Sequence, residues 1–197
     1  MTIEVEAGEA VGSEVDLRPS AAILIGGVCA IGLISALSLP WPVAIASTVL
    51  GTFMIAGADV DARTFLLPNL ITFGAIFCGV LAALLLDTAD PWAAAVQSIA
   101  RAGCVAGALA LFRSGYGWIR QTEGLGLGDV KLAAAIGAWL PFDAIPLCFG
   151  LATGGALVTV MLVRLSGQAV TSTTRIPFGA FLCPALWIVY FADSVTR

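Results

Sequence analysis

Asn69-Leu70-Ile71-Thr72-Phe73-Gly74-Ala75-Ile76-Phe77-Cys78-Gly79-Val80-Leu81-Ala82-Ala83-Leu84-Leu85-Leu86 contains no charged side chain. As a helix rising about 1.5 Å per residue, this stretch comes close to crossing a hydrocarbon core about 30 Å thick. Comparable apolar runs occupy residues 21–39, 41–58, 93–112, 129–140 (short), 144–164 and 177–193. The pattern predicts an all-α, polytopic transmembrane bundle of six to seven spans. Pro40-Trp41-Pro42, Leu67-Pro68-Asn69, Asp90-Pro91, Pro141 and Ile176-Pro177 punctuate the runs, as proline does where a helix must stop or restart. No internal repeat is present.

Composition gives the same class. Hydrophobic residues make up 59% of the 197 positions and charged residues 11%, with a mean hydropathy of +1.01. Soluble domains carry about 25% charged residues, so this chain has too few to cover a water-facing surface, and lipid is its solvent. Five of the thirteen acids (Glu4, Glu6, Glu9, Glu14 and Asp16) fall in the first sixteen residues, so residues 1–20 read as a disordered acidic tail and 21–197 as the transmembrane domain. No basic patch offers a surface for nucleic acid. The five cysteines stand singly in apolar stretches and histidine is absent, which disfavours disulfide scaffolding and Cys/His zinc sites. The acidic start, with no small-residue cleavage site after it, does not resemble a removable signal peptide.

Basic residues set an orientation. Arg18, Arg63, the Arg113/Arg120/Lys131 region and the Arg164/Arg175 pair flank every second break. The intervening breaks, near Pro40, at Asp87–Asp90 and at Asp143, carry neither lysine nor arginine. The positive-inside rule assigns the first set, and the N-terminal tail, to the cytoplasm. The C-terminus then lies outside, with Arg197 a mild exception.

Acids at the ends of apolar helices are candidates for function, because lipid disfavours them. Asp59, Asp61 and Asp129 lie in cytoplasmic breaks, with Glu123 nearby. Two residues along a helix turn it by about 200°, so Asp59 and Asp61 face different neighbours and at most one shares a site with Asp129. Asp129 follows Gly124-Leu125-Gly126-Leu127-Gly128, whose glycines permit close backbone approach, and no Gly-Lys-Ser/Thr follows to make a phosphate loop. Asp129 fits equally an ordinary helix cap. Two adjacent carboxylates cannot both ionise cheaply, so one keeps a proton while the other acts as base on a water that attacks a peptide carbonyl. That chemistry needs no metal or cofactor, and without histidine the Ser-His-Asp and Cys-His schemes are excluded. Arg101, inside an apolar run, could bias an aspartate but is rather expected to meet backbone carbonyls or Gln97, and Lys131 to point away from Asp129 toward the interface. The tryptophans and tyrosines (Trp41, Trp92, Trp118, Trp139, Trp187, Tyr116, Tyr190) fall near span ends, where an interfacial belt accounts for them.

Asp61-Ala62-Arg63-Thr64-Phe65-Leu66-Leu67-Pro68-Asn69 resembles the first aspartate motif of the type IV prepilin peptidases, an Asp followed seven residues later by Pro-Asn or Pro-Asp. Glu123-Gly124-Leu125-Gly126-Leu127-Gly128-Asp129-Val130-Lys131-Leu132, continuing to Gly137-Ala138-Trp139-Leu140, resembles their second, Gly-x-Gly-Asp before an apolar helix. Ile176-Pro177-Phe178-Gly179-Ala180 resembles their Ile-Pro-Phe-Gly-Pro segment, with Ala180 where proline is usual. The three motifs, in order, cover most of residues 45–193. The resemblance implies an aspartic endopeptidase of the bacterial inner membrane, with Asp61 and Asp129 catalytic at the cytoplasmic face. Gly126, Gly128, Pro68, Asn69 and Lys131 would support the site or the approach of substrate. Its implied substrates are prepilins or pseudopilins, cut between a basic leader and an apolar helix, with no cofactor. The paired CxxC motifs of the longer methylating members are missing, so a peptidase-only form of the sort associated with tight-adherence pili is expected.

Two other membrane proteases or carriers fit less well. Gly126-Leu127-Gly128-Asp129 and Pro184-Ala185-Leu186 would suit a presenilin-like intramembrane protease, but its Tyr-Asp partner motif is lacking. A small transporter or channel lined by Asp59, Asp61, Arg101 and Asp129 would be expected to show inverted repeats and broken helices. An inactive scaffold subunit would have no use for intact aspartates at both positions.

Overall fold

The computed structural model describes residues 17–120, 126–166 and 177–196. Seven helices follow one another: α1 (Ala21–Ser38), α2 (Trp41–Thr64), α3 (Asn69–Leu86), α4 (Pro91–Arg120), α5 (Leu127–Trp139), α6 (Ile145–Leu165) and α7 (Gly179–Thr196). There is no strand among the described residues. All but α5 are long and apolar enough to cross a membrane. The acidic segment before Leu17, Glu123-Gly124-Leu125, Arg175-Ile176 and Arg197 lie outside the described residues.

Two helices run further than the apolar runs predict. α2 continues six residues past 58, to Thr64, and α4 eight past 112, to Arg120. Hydropathy marks where lipid ends, whereas backbone hydrogen bonding continues until something stops it. At α2 the stop is local. Phe65 takes a left-handed conformation (φ 56°) and donates its N–H to the Asp61 carbonyl at 2.9 Å. Pro68 then restarts the chain as the first residue before α3, accepting from Ile71 and Thr72.

α5 is the axis of the bundle. Leu132, Ala133, Ala135, Ile136, Ala138 and Trp139 are all buried, so this helix is enclosed on every side, packed chiefly against α4 and α3 and also touching α7. Its alanines and Gly137 allow very close packing: a Cβ on Gly137 would lie 2.5 Å from the Arg101 carbonyl oxygen of α4. α1 covers α2, and α6 leans on α7. The outer faces of these two helices expose Leu33, Leu37, Leu157 and Met161, as lipid-facing helices do.

The aromatic belt holds for part of the set only. Trp41, Trp92 and Trp118 are exposed. Trp139 and Tyr190 are instead buried in the core, ring on ring edge-to-face with centroids 5.1 Å apart. The Trp139 indole N–H donates to the Ala75 carbonyl at 2.8 Å, and that of Trp187 to the Ser47 hydroxyl at 3.1 Å. A partner for the polar tip is what lets a tryptophan leave the interface for the interior.

Candidate active site

Four helix ends meet at one edge of the bundle: the last turn of α2 and the first turns of α3, α5 and α7. Asp61 belongs to α2, where its side chain is buried at 5% exposure. Its carboxylate accepts the Ala180 N–H at 2.8 Å and also the Gly179 N–H, amides of the first turn of α7. Gly179 must be glycine for this contact, because a Cβ there would stand 2.8 Å from Asp61 Oδ2 and 2.6 Å from Leu67 Cδ1. Leu67 also abuts Gly128, whose Cβ would lie 3.2 Å from the leucine Cβ. This one side chain therefore separates the start of α5 from the start of α7.

Asp129 stands in the first turn of α5, where its carboxylate accepts the Gly126 N–H at 3.3 Å. Asp129 is thus not the N-cap, which is Gly126, but the third helical residue, whose carboxylate reaches back to the N-cap amide. Burial first, and the charge of Asp61 second, push the Asp129 carboxyl up to about 6. Two carboxylates separated by sixty-seven intervening residues in sequence therefore sense each other in the fold.

Asp59 faces elsewhere, as its rotation about α2 requires. It accepts the Ser20 N–H at 2.7 Å and pairs with Arg63 at 2.8 Å, and Arg63 also donates to the Arg18 carbonyl. So two acids on one turn of α2 close the open ends of two different helices, α1 and α7.

Lys131 reaches across to the start of α3. Its ammonium donates to the Asn69 side-chain oxygen at 2.6 Å and lies 5.6 Å from the centre of the Phe73 ring. That bond joins the Pro-Asn end of one motif to the Gly-x-Gly-Asp end of another. Arg101 is remote from the acids: its Nε–H donates to the Gly137 carbonyl at 3.2 Å. Sequence reading gave no role to the Gly179 and Ala180 amides or to Leu67. Only the Pro-Phe-Gly string marked that region, and nothing in it names Asp61 as the acceptor.

Among the described residues, no three His, Cys, Asp or Glu side chains gather as a metal-binding group. A cavity of about 530 Å³ between α4 and α6, walled by Val105, Leu109, Phe112, Phe142 and Phe149, is apolar and touches neither acid.

The fold and this edge define a polytopic helical membrane protein with two interacting carboxylates supplied by separate helices. The chain belongs to the type IV leader peptidase family, whose pattern matches residues 48–163. It is similar to a prepilin leader peptidase/N-methyltransferase of Aeromonas hydrophila, 32% identical over 157 residues that are 78% of this chain and 51% of the relative. Proteins of the same description from Neisseria gonorrhoeae (34% over 152 residues; 76% and 49%) and Pseudomonas aeruginosa (32% over 151; 73% and 48%) are also similar. The chain thus spans about half the length of these curated relatives. No solved structure matches it.

Proposed function

We propose that this chain is a membrane aspartyl endopeptidase that removes the leader from type IV prepilins or pseudopilins, with Asp61 and Asp129 as the reacting pair. The observation that carries this reading is the convergence of the two carboxylates at one edge of the bundle, close enough for the charge of one to act on the other. With one proton between them, the ionised member takes a proton from a water as the water oxygen bonds to the scissile carbonyl carbon. The protonated member gives its proton to the developing oxyanion. Collapse of the tetrahedral intermediate then breaks the C–N bond, and the amine leaves with a proton returned by the pair. Water is the only co-reactant.

The charge bias supports leader removal at the cytoplasmic face. Arg18, Arg63, Arg113 and Lys131 lie on the breaks that the positive-inside rule assigns to that side, as do both acids. The family membership and the names of the relatives supply the substrate class; the methyl-transfer half of those names stays with those proteins.

The test is leader removal from a purified prepilin by the purified chain. Asp61→Asn and Asp129→Asn should each abolish it and Asp59→Asn should spare it. Full processing by either of the first two would overturn the mechanism.

A further inference from the structure

We propose that Arg101 is a positioning residue: from α4 it fixes the depth of α5 in the bundle, and through that rigid helix the place of Asp129. This rests on the reading of Asp61 and Asp129 as the reacting pair. The starting point is that α5 has 13 residues. At 1.5 Å each that is about 20 Å, well short of a core about 30 Å thick. Its last carbonyls therefore open into an apolar interior, where an unsatisfied backbone group is strongly disfavoured.

α4 supplies what those carbonyls lack. Arg101 lies ten residues beyond Pro91, the start of α4, or about 15 Å along the helix, near the middle of a bilayer. An arginine at that depth demands a reason. Its Nε–H donates to the Gly137 carbonyl at 3.2 Å, and the buried Ser98 hydroxyl, one turn earlier, donates to the Ala138 carbonyl at 2.8 Å. These are the carbonyls of the last turn of α5, and a cation there also meets the negative end of the helix dipole, in a medium that screens it little. Gly137 lets the two helices come close enough for these bonds, since a Cβ there would lie 2.5 Å from the Arg101 carbonyl oxygen, and the side chains of Arg101 and Ser98 then select the register.

Nine residues of unbroken helix join Ala138 to Asp129. A slip of one residue would carry Asp129 about 1.5 Å along the axis and 100° around it, out of line with Asp61. The contacts at the other end of α5 are more compliant, since the Lys131 bond to Asn69 is exposed and made through a long flexible side chain. The C-terminal carbonyls are the stiffer anchor.

The experiment compares Arg101→Met, Arg101→Lys and Ser98→Ala in the full chain, reconstituted in nanodiscs and assayed on a prepilin, with rates taken per folded enzyme. Arg101→Met keeps the stem and removes the charge and the donors. It should lower kcat roughly hundredfold with KM within about twofold, the scale of an ångström of misplacement. The alkaline limb of its pH profile should move to lower pH, because Asp129 leaves the field of Asp61. Arg101→Lys should restore most of kcat, and Ser98→Ala should show the same changes in smaller degree. An arginine that only stabilises the fold would reduce the yield of folded protein and leave kcat and the pH profile of that protein alone. Wild-type kcat and profile in folded Arg101→Met overturn the proposal. If that variant does not fold, wild-type behaviour of Ser98→Ala overturns it. Asp61→Asn and Asp129→Asn run alongside: cleavage by those would defeat the reading of the pair, whereas inactive aspartate variants beside a fully active Arg101→Met defeat the positioning role alone.

Discussion

Replacing Gly179 by alanine sets two effects of opposite sign against each other. Gly179 opens α7 and has no left-handed backbone to protect, so helix propensity alone favours alanine by up to about 1 kcal/mol. Sterics oppose it. The new Cβ would stand 2.6 Å from Leu67 Cδ1, 2.8 Å from Asp61 Oδ2 and 2.9 Å from Asp61 Cγ. The leucine tip can rotate away. The carboxylate is held by the Ala180 N–H at 2.8 Å and would have to move by about 0.5–1 Å to reach ordinary contact. Losing that charge-assisted bond costs about 1.5–3 kcal/mol, which exceeds the propensity gain and leaves the variant less stable by about 0.5–2 kcal/mol. The larger consequence falls on catalysis, because Asp61 is pushed off its line to Asp129: kcat should drop roughly hundredfold. Thermal unfolding in detergent and leader removal at saturating prepilin measure the two effects separately. Adding Leu67→Ala relieves one clash and leaves the carboxylate clash in place, so the double variant should stay slow. Wild-type kcat in Gly179→Ala would show that the seat of Asp61 at the start of α7 does not matter to the reaction.

Asp59→Asn keeps an acceptor for Ser20 and loses the ion pair with Arg63; unfolding should report a loss of about 0.5–1 kcal/mol, with cleavage unchanged. Lys131→Met removes the bond to Asn69 and the cation near Phe73, so stability should fall by about 1–2 kcal/mol and kcat several-fold, whereas Asn69→Asp keeps an acceptor and most of the activity. Asp129, at about 6, holds its proton below that pH and sheds it above, so kcat/KM should decline as pH rises through the upper apparent value of the pair. Asp61→Asn removes the second cause of that elevation, and carboxyl carbon NMR should find the Asp129 transition moved down.

The helical class was legible because lipid imposes a coarse rule: an uncharged run such as 69–86 has one stable form in a bilayer, and α3 matches it residue for residue. The separation of Asp59 from Asp61 was legible too, being a matter of rotation about one helix. What the sequence hid depends on partners far along the chain. Nothing near Asp61 announces that its acceptor oxygen meets an amide 119 residues later. Trp139 sits at the end of an apolar run like its exposed counterparts, and only the Ala75 carbonyl, 64 residues away, separates a core tryptophan from a belt tryptophan. Arg101 was expected to meet a backbone carbonyl and does so at Gly137, but that this carbonyl ends a helix too short to cross the membrane is a fact of packing.

The brevity of α5 bears on how such a chain enters the bilayer during synthesis. A 13-residue helix that begins on an aspartate-bearing turn is a poor candidate to be released into lipid alone. Its place in the bundle depends on neighbours: α4, which offers Ser98 and Arg101 to its open end, and α3 and α7, which pack against it. Until those have assembled, Asp129 has no fixed place beside Asp61.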